Sequence, residues 1–271
     1  MKHLTCIYFI FFAFVCAEAQ KFSIHAGGGI INYGGDLQKK NFTFQQAGAA
    51  FSAGASYNFA NNFSVNLSLS EGKVQADDAK NGFPKRNLNF KSNIFETALT
   101  VEADYKNIWT EASFTPYVFS GIALFHFNPY TYTTAGEKVF LQPLGTEGQG
   151  LPEYPGTKLY SPWNFAIPFG LGAKYALSNN IAIGAEISLR YLFTDYLDDV
   201  SSLKYADTTL LKNTRGAIAT ELSYRGDEIL GSNYTIRKQR GNPQKKDVYY
   251  ACLIRFTYMI GESAPFKLYK Y

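Results

Sequence analysis

The sequence predicts an all-β protein: an eight-stranded antiparallel transmembrane β-barrel with short periplasmic turns and long extracellular loops. Apolar and polar residues alternate with a period of two over eight segments, and short and long connections alternate between those segments. No apolar run reaches the roughly eighteen residues that a membrane-spanning helix requires. Aromatic residues make up 17% of the 271 residues, with 20 Tyr and 23 Phe but only 2 Met. This composition favours strands over core helices.

The charge balance argues against one class of partner. The chain carries 26 Lys and Arg against 22 Asp and Glu, for a formal net charge of +4. This excess is too small and too evenly spread to indicate a nucleic-acid partner.

The N-terminus has the features of a secretory signal peptide. Lys2 precedes an apolar stretch at residues 4–15, and the small residues Ala17 and Ala19 follow it. A positive start, a short apolar middle and small residues before the cut are typical of exported proteins. We therefore expect residues 1–19 to be removed after Ala19.

The cysteines are consistent with an exported chain without disulfides. Cys16 would mark a lipoprotein if a small residue preceded it, but the preceding residue is Val15. Once the leader is removed, Cys252 is the only remaining cysteine, so we expect no internal disulfide.

The strand at 181–194 shows the alternation most clearly. Ile181, Ile183 and Ile187 share one face, whereas Glu186 and Arg190 share the other. Only a strand separates successive side chains in this way. The same pattern predicts, in chain order, strands at 22–33, 47–59, 63–74, 93–105, 115–128, 165–177, 181–194 and 248–258.

The connections between these strands decide between two environments. The short ones lie at 60–62, 106–113 and 178–180, and the long ones at 34–46, 75–91, 129–164 and 195–247. Because the two kinds alternate strictly, all long loops leave from one end of the barrel, as in bacterial outer-membrane barrels. A soluble barrel of lipocalin type also has eight strands but lacks this bias. We expect the barrel to span 20–260 and a periplasmic tail to follow at 261–271.

Aromatic residues collect near the predicted strand ends. Lipid-exposed barrels carry girdles of aromatic residues at both membrane interfaces. The general preference of aromatic residues for strands explains their number but not this placement. The predicted interface residues are Trp109, Trp163, Tyr33, Tyr57, Tyr105 and Tyr175.

The inward faces carry acidic and basic residues in near balance. Eight strands enclose a lumen that side chains can fill, and an isolated buried charge costs several kcal/mol. We therefore predict a paired polar plug, with a proton or ion path as the alternative. The predicted members are Glu96, Glu102, Asp104, Lys174, Glu186, Arg190 and Arg255.

No catalytic group stands out, and we expect no enzyme activity and no cofactor. Some eight-stranded outer-membrane barrels modify lipid A with a His and a Ser, Asp or Glu near the outer rim. His25 lies early in the first strand, near the turn end, and His126 has no marked partner nearby in the sequence.

Two charged stretches of the last long loop have weaker functional interpretations. Asp195, Asp198 and Asp199 match no defined calcium-loop spacing, so turn or cap residues are a better account than a metal site. The basic stretch from Arg237 to Lys246 is either a solvated loop or a contact for lipopolysaccharide phosphates.

Four segments carry a family resemblance over nearly all of the mature chain. They are NYGGDL at 32–37, GIALFHFNP at 121–129, LQPLGTEGQG at 141–150 and FTDYLDDVS at 193–201. Together they resemble a Bacteroidota outer-membrane β-barrel family that includes the PorG-type component of the type IX secretion system. The resemblance implies a non-enzymatic scaffold in outer-membrane lipid. Its implied partners are a periplasmic secretion-ring lipoprotein and that lipoprotein's partner subunit.

Such a scaffold would meet its ring at the turn end. The tail supplies Phe266, Tyr269 and Tyr271 as candidate contacts, although a disordered end is an equal alternative. The alternative function is a surface receptor or adhesin that binds outside ligands through its long loops.

Overall fold

A computed structural model describes residues 22–40, 42–230 and 239–261 of this chain. Eight long strands form a closed antiparallel barrel, which confirms the predicted fold class. They are β1 (Phe22–Gly34), β2 (Gly48–Ala60), β3 (Phe63–Asp77), β4 (Asn89–Asp104), β5 (Phe114–His126), β8 (Trp163–Ala176), β9 (Ile181–Leu192) and β10 (Val248–Met259). Each strand pairs with its neighbour along the chain, and β1 pairs with β10 to close the barrel. The predicted signal peptide and tail contacts lie outside the described residues.

The β3–β4 ribbon extends further than the sequence predicts. Its last register pair is Asp77 with Asn89, beyond the predicted limits at 74 and 93. Val74, Ala76 and Phe90 on its inner face are almost fully buried. The strands continue because these side chains pack under the loops, beyond the mouth of the barrel.

The long loops contain short elements that the alternation did not predict. Two small strands, β6 (Tyr130–Tyr132) and β7 (Lys138–Phe140), form a hairpin, and a 3-10 helix (Gln142–Leu144) follows. The helices are α1 (Asp78–Asn81), α2 (Thr208–Arg215), α3 (Ala217–Ser223) and α4 (Asp227–Leu230). None of these helices is both long enough and apolar enough to cross a membrane.

The main hydrophobic core lies at the loop end, where the barrel mouth meets the loops. Tyr33 belongs to this core, so its prediction as an interface aromatic is wrong. Its side chain is 0% exposed, and its ring packs edge-on against Phe90 with centroids 5.0 Å apart. The reason is its position in the alternation: Tyr33 shares the inward face of β1 with the buried His25 and Ile31.

The other predicted interface aromatics lie at the two ends of the barrel. Trp163, Tyr105 and Tyr175 are exposed at strand ends. Trp109 packs on a small cluster at the turn end, and the Tyr57 ring lies 4.9 Å from the Phe22 ring. Between the two ends the outward face is apolar. It includes Leu67, Leu69, Leu99, Val101, Val118, Ile122, Phe169, Leu171, Ile187, Ile254 and Phe256.

Candidate functional site

A charged cluster fills the lumen toward the turn end. The Lys174 Nζ lies 2.6 Å from Glu102 Oε1 and 2.8 Å from Asp104 Oδ1. The Arg255 guanidinium lies 2.7 Å from Glu102 Oε2 and 3.5 Å from Glu186 Oε2. Glu102 thus faces two cations although it is only 3% exposed. Four strands contribute to this cluster, so its pairs link opposite sides of the barrel.

A second lumen cluster lies closer to the loop end. The Arg190 Nη2 donates to Glu96 Oε1 at 3.0 Å, and its Nε lies 3.2 Å from Oε2 of the same carboxylate. The Tyr249 hydroxyl donates to Glu96 Oε2 at 2.6 Å. Tyr249 was not predicted as a lumen residue, although its position in the strand places it on the same face as Arg255.

Tyr117 is a further lumen residue that was not among the predicted members of the polar plug. Its hydroxyl donates to Glu186 Oε2 at 2.8 Å, and its ring lies 4.9 Å from the Lys174 Nζ. Strand parity would have identified it, because it alternates with the outward-facing Val118.

The free space left in the lumen is small. A cavity lined by His25, Asn66, Glu102 and Arg255 has a volume of about 30 Å³. A cavity of this size holds about one or two water molecules. At this level of the barrel the paired side chains therefore occupy most of the lumen.

The two described histidines lie on opposite faces of the barrel wall. The His25 Nδ1 lies 3.1 Å from the Ser56 hydroxyl, and both residues are buried inside the lumen. His126 faces outward, with its ring 4.9 Å from the Trp163 ring. No acid–base partner of His126 is found among the residues described.

The long loops fold together over the barrel mouth. We call residues 35–40, 42–47, 78–88, 127–162, 193–230 and 239–247 the loop-end cap. Two carboxylates, Asp198 and Asp247, meet at the Tyr33 hydroxyl in its floor. Burial raises the pKa of both carboxyl groups well above the usual range, and the negative charge of Asp36 adds to the effect.

A second buried network joins two loops in the middle of the cap. Arg240 pairs with Glu147 and donates to the Asp199 carbonyl oxygen at 3.1 Å. The Asp199 carboxylate accepts hydrogen bonds from Thr146 at 2.5 Å and Tyr160 at 2.8 Å. Burial raises the pKa of Asp199 to about 6, and the positive charge of Arg240 opposes this rise.

Arg240 differs from the expectation for the basic stretch of the last loop. It is 2% exposed, so it is neither solvated nor free to contact lipopolysaccharide. It is buried because Glu147, Thr146 and nearby carbonyl groups satisfy its donors. Lys245 and Lys246 are exposed, whereas residues 237 and 238 lie outside the described part.

The three predicted acids of the last loop lie inside the cap. Asp195 accepts from the Ser201 hydroxyl at 2.7 Å, and Asp198 accepts from the Val200 amide at 2.9 Å, as in a turn. Burial raises the pKa of Asp195 to about 6. Within the described ranges, no group of three or more His, Cys, Asp or Glu side chains is placed to hold a metal ion.

A third buried pair connects three loops beside an open cavity, because Arg86 pairs with Asp78 in its own loop and donates to the carbonyl oxygens of Asp36 and Arg240 in two others. The Arg86 Nε and Nη2 each lie 2.7 Å from an oxygen of Asp78, and Nη2 also donates to the Asp36 carbonyl oxygen at 2.7 Å. The adjoining cavity has a volume of about 520 Å³ and is lined in part by Phe83 and Tyr205.

The sequence of this chain matches a known protein family over most of its length. The family model described as "Outer membrane protein beta-barrel domain" matches residues 7–225. The chain belongs to this family. As an outer-membrane β-barrel protein it is integral to the outer membrane, and its outward apolar face contacts lipid.

Three solved structures are similar to this outer-membrane β-barrel. Neisserial surface protein A is 11% identical, with 88% of this chain and 97% of that chain covered and a TM-score of 0.45. OprG from Pseudomonas aeruginosa is 12% identical, with 89% and 96% covered and a TM-score of 0.41. Ail from Yersinia pestis is 10% identical, with 88% and 99% covered and a TM-score of 0.39. A search of curated proteins finds no match.

Proposed function

We propose that this chain is a non-enzymatic scaffold that anchors the type IX secretion and gliding machinery in the outer membrane. The observation that supports the proposal is the polar plug in the lumen, in which Glu102 pairs with Lys174 and Arg255. A barrel filled by paired side chains is suited to holding other proteins in place rather than to general diffusion. The link to this particular machinery rests on the four segments that resemble the PorG-type family.

The partners in this proposal are the periplasmic ring lipoprotein and its partner subunit. They would contact the turn end, which consists of residues 61–62, 105–113 and 177–180 and the tail at 261–271. Phe266, Tyr269 and Tyr271 of the tail are the proposed contacts. Export through a signal peptide cleaved after Ala19 would deliver the chain to this location.

Crosslinking in intact outer membranes tests the proposal. The full chain would be compared with a deletion of residues 262–271 and with a loop-end control, in which the exposed Lys158, Lys204 and Lys212 are replaced by Ala. We expect the full chain and the control to recover the ring lipoprotein equally, and the deletion to recover less. Undiminished recovery would remove the tail from the proposal, and absence of ring components from the full-length sample would contradict the function itself.

The cavity in the loop-end cap favours a second candidate, a surface receptor or adhesin. Its volume of about 520 Å³ is that of a small-ligand site, and aromatic and polar side chains line it together. In this case Tyr205→Ala would reduce the capture of an external ligand and leave recovery of the ring unchanged.

A further inference from the structure

Three lysines gather on the outer surface of the barrel at the loop end. Lys73 lies on β3, Lys91 on β4 and Lys138 on β7. The register pairs Lys91 with Gln75 on one side and with Tyr130 of the β6–β7 hairpin on the other. The hairpin therefore extends the outer surface of the β3–β4 ribbon sideways.

Each of the three ammonium groups lies over an aromatic ring of the β6–β7 hairpin. The Nζ atoms of Lys138 and Lys73 lie 4.0 Å and 6.0 Å from the centre of the same Tyr130 ring. The Lys91 Nζ lies 5.4 Å from the centre of the Tyr132 ring. Cations are attracted to the faces of such rings, which orients the lysines without neutralising their charge.

The height of the cluster places it in the headgroup layer. The apolar outward face ends near Phe95, whose register partner His126 pairs in turn with Trp163. Lys91 lies four residues beyond Phe95 on the same strand face, which corresponds to roughly 9 Å along the membrane normal at a tilt of about 45°. The phosphates of an outer-leaflet lipid occupy this layer when the loop end faces outward.

In the described part of the chain the three lysines form no ion pair, although two exposed acids lie near them in sequence. Among residues 22–40, 42–230 and 239–261, no carboxylate forms an ion pair with Lys73, Lys91 or Lys138; the nearest acids along the chain are the exposed Glu71 and Glu137. Clustered like charges at a membrane surface attract anionic headgroups, and each lysine adds to this attraction. Tyr132, which is 42% exposed, supplies an amphipathic ring of the kind that this layer favours, and Phe140, also 42% exposed, adds an apolar ring beside it.

We propose that this lysine–aromatic cluster binds the phosphate of a phosphorylated outer-leaflet lipid. The site consists of Lys73, Lys91 and Lys138 with the Tyr130 and Tyr132 rings. It is separate from the basic stretch at 237–246, in which Arg240 is buried. The site depends on the outer-membrane location and the outward loop end, not on the secretion role.

Fluorescence anisotropy with labelled phosphorylated lipid A tests the site on the full chain in neutral detergent. The test variant carries Lys73→Gln, Lys91→Gln and Lys138→Gln. The control carries Lys39→Gln, Lys158→Gln and Lys204→Gln, which removes the same charge from exposed positions of the loop-end cap. Binding of dephosphorylated lipid A measures the contribution of the acyl chains. Inorganic phosphate, added as a competitor, tests whether the site recognises the free anion. The single variant Lys138→Gln, on the exposed hairpin, serves if the triple variant does not fold.

We expect the triple variant to bind phosphorylated lipid A at least about tenfold more weakly, and the control to bind like the wild type. We also expect weak binding of dephosphorylated lipid A and no competition by millimolar inorganic phosphate. Equal binding by the triple variant, or by the dephosphorylated lipid, would overturn the proposal. Efficient competition by inorganic phosphate would also overturn it, because the site would then recognise a free anion.

Discussion

Arg240 and Glu147 form a buried ion pair that joins the last long loop to the loop between β5 and β8. Both side chains are at most 2% exposed, and the Glu147 carboxylate also accepts from the Ser201 and Ser202 amides at 3.0 Å. The pair spans 93 residues of sequence, so it fixes the relative position of two loops that are far apart along the chain.

Replacing Arg240 by Met should release this connection. The change leaves Glu147 and Asp199 buried without their cation, and breaking a buried pair on one side costs about 3–5 kcal/mol. We expect faster proteolysis of the loop-end cap while the barrel strands stay protected. Lys245→Met, at an exposed site in the same loop, is the matched control. A protection pattern identical to that of the wild type would show that the pair does not hold the cap.

Replacing Lys174 by Met should weaken the barrel itself. Glu102 would keep only Arg255 as a partner and Asp104 would lose its cation, so we expect a loss of about 3 kcal/mol in the free energy of unfolding. Urea unfolding in lipid vesicles measures this loss. Lys158→Met removes an equal charge from an exposed loop and should leave the unfolding midpoint unchanged. If both variants unfold alike, the lumen pairs contribute nothing to stability.

The cap should be more stable in mild acid than at neutral pH. Burial raises the pKa of Asp195 and Asp199 to about 6, above their usual value near 4, so folding favours the protonated forms. Their contribution is therefore fully present below about pH 4 and is lost as the pH rises through about 6. Proteolysis of the cap should be slowest at the acid end of this range.

Asp199→Asn tests the origin of this pH dependence. It removes one of the two carboxyl groups whose pKa is raised to about 6 and should make the pH dependence shallower, whereas Asp227→Asn, at an exposed position, should not. The protease used must stay active over this pH range. Its rate on an unfolded substrate, measured at each pH, corrects for the pH dependence of the protease itself. Greater cap stability at pH 7 than at pH 5 would reverse the predicted sign.

The barrel could be predicted from the sequence because its strands follow a simple rule. Residues such as Ile187 and Arg190 alternate between lipid and lumen, and this period is visible within one strand. The prediction for Tyr33 was wrong because it relied on the closeness of this residue to a strand end. The alternation of side chains along β1 assigns Tyr33 to the inward face. Parity also places Tyr117 and Tyr249 inside the barrel.

The loop-end cap could not be predicted in this way. Its contacts join distant segments without a period, as in Arg86 with the Arg240 carbonyl oxygen and Arg240 with Glu147. Composition suggested a solvated basic stretch around Arg240, but burial of that side chain depends on a carboxylate from another loop. The lysine–aromatic cluster was likewise not visible, since it depends on the β6–β7 hairpin pairing with β4.

Conductance across a planar lipid bilayer tests the closed lumen most directly. The purified chain would be inserted at increasing amounts, with an open porin as the reference. The paired side chains of the lumen predict no stable current steps above the bare bilayer, however many copies insert. Discrete, persistent steps of porin size from the purified chain would contradict a closed scaffold and indicate a channel.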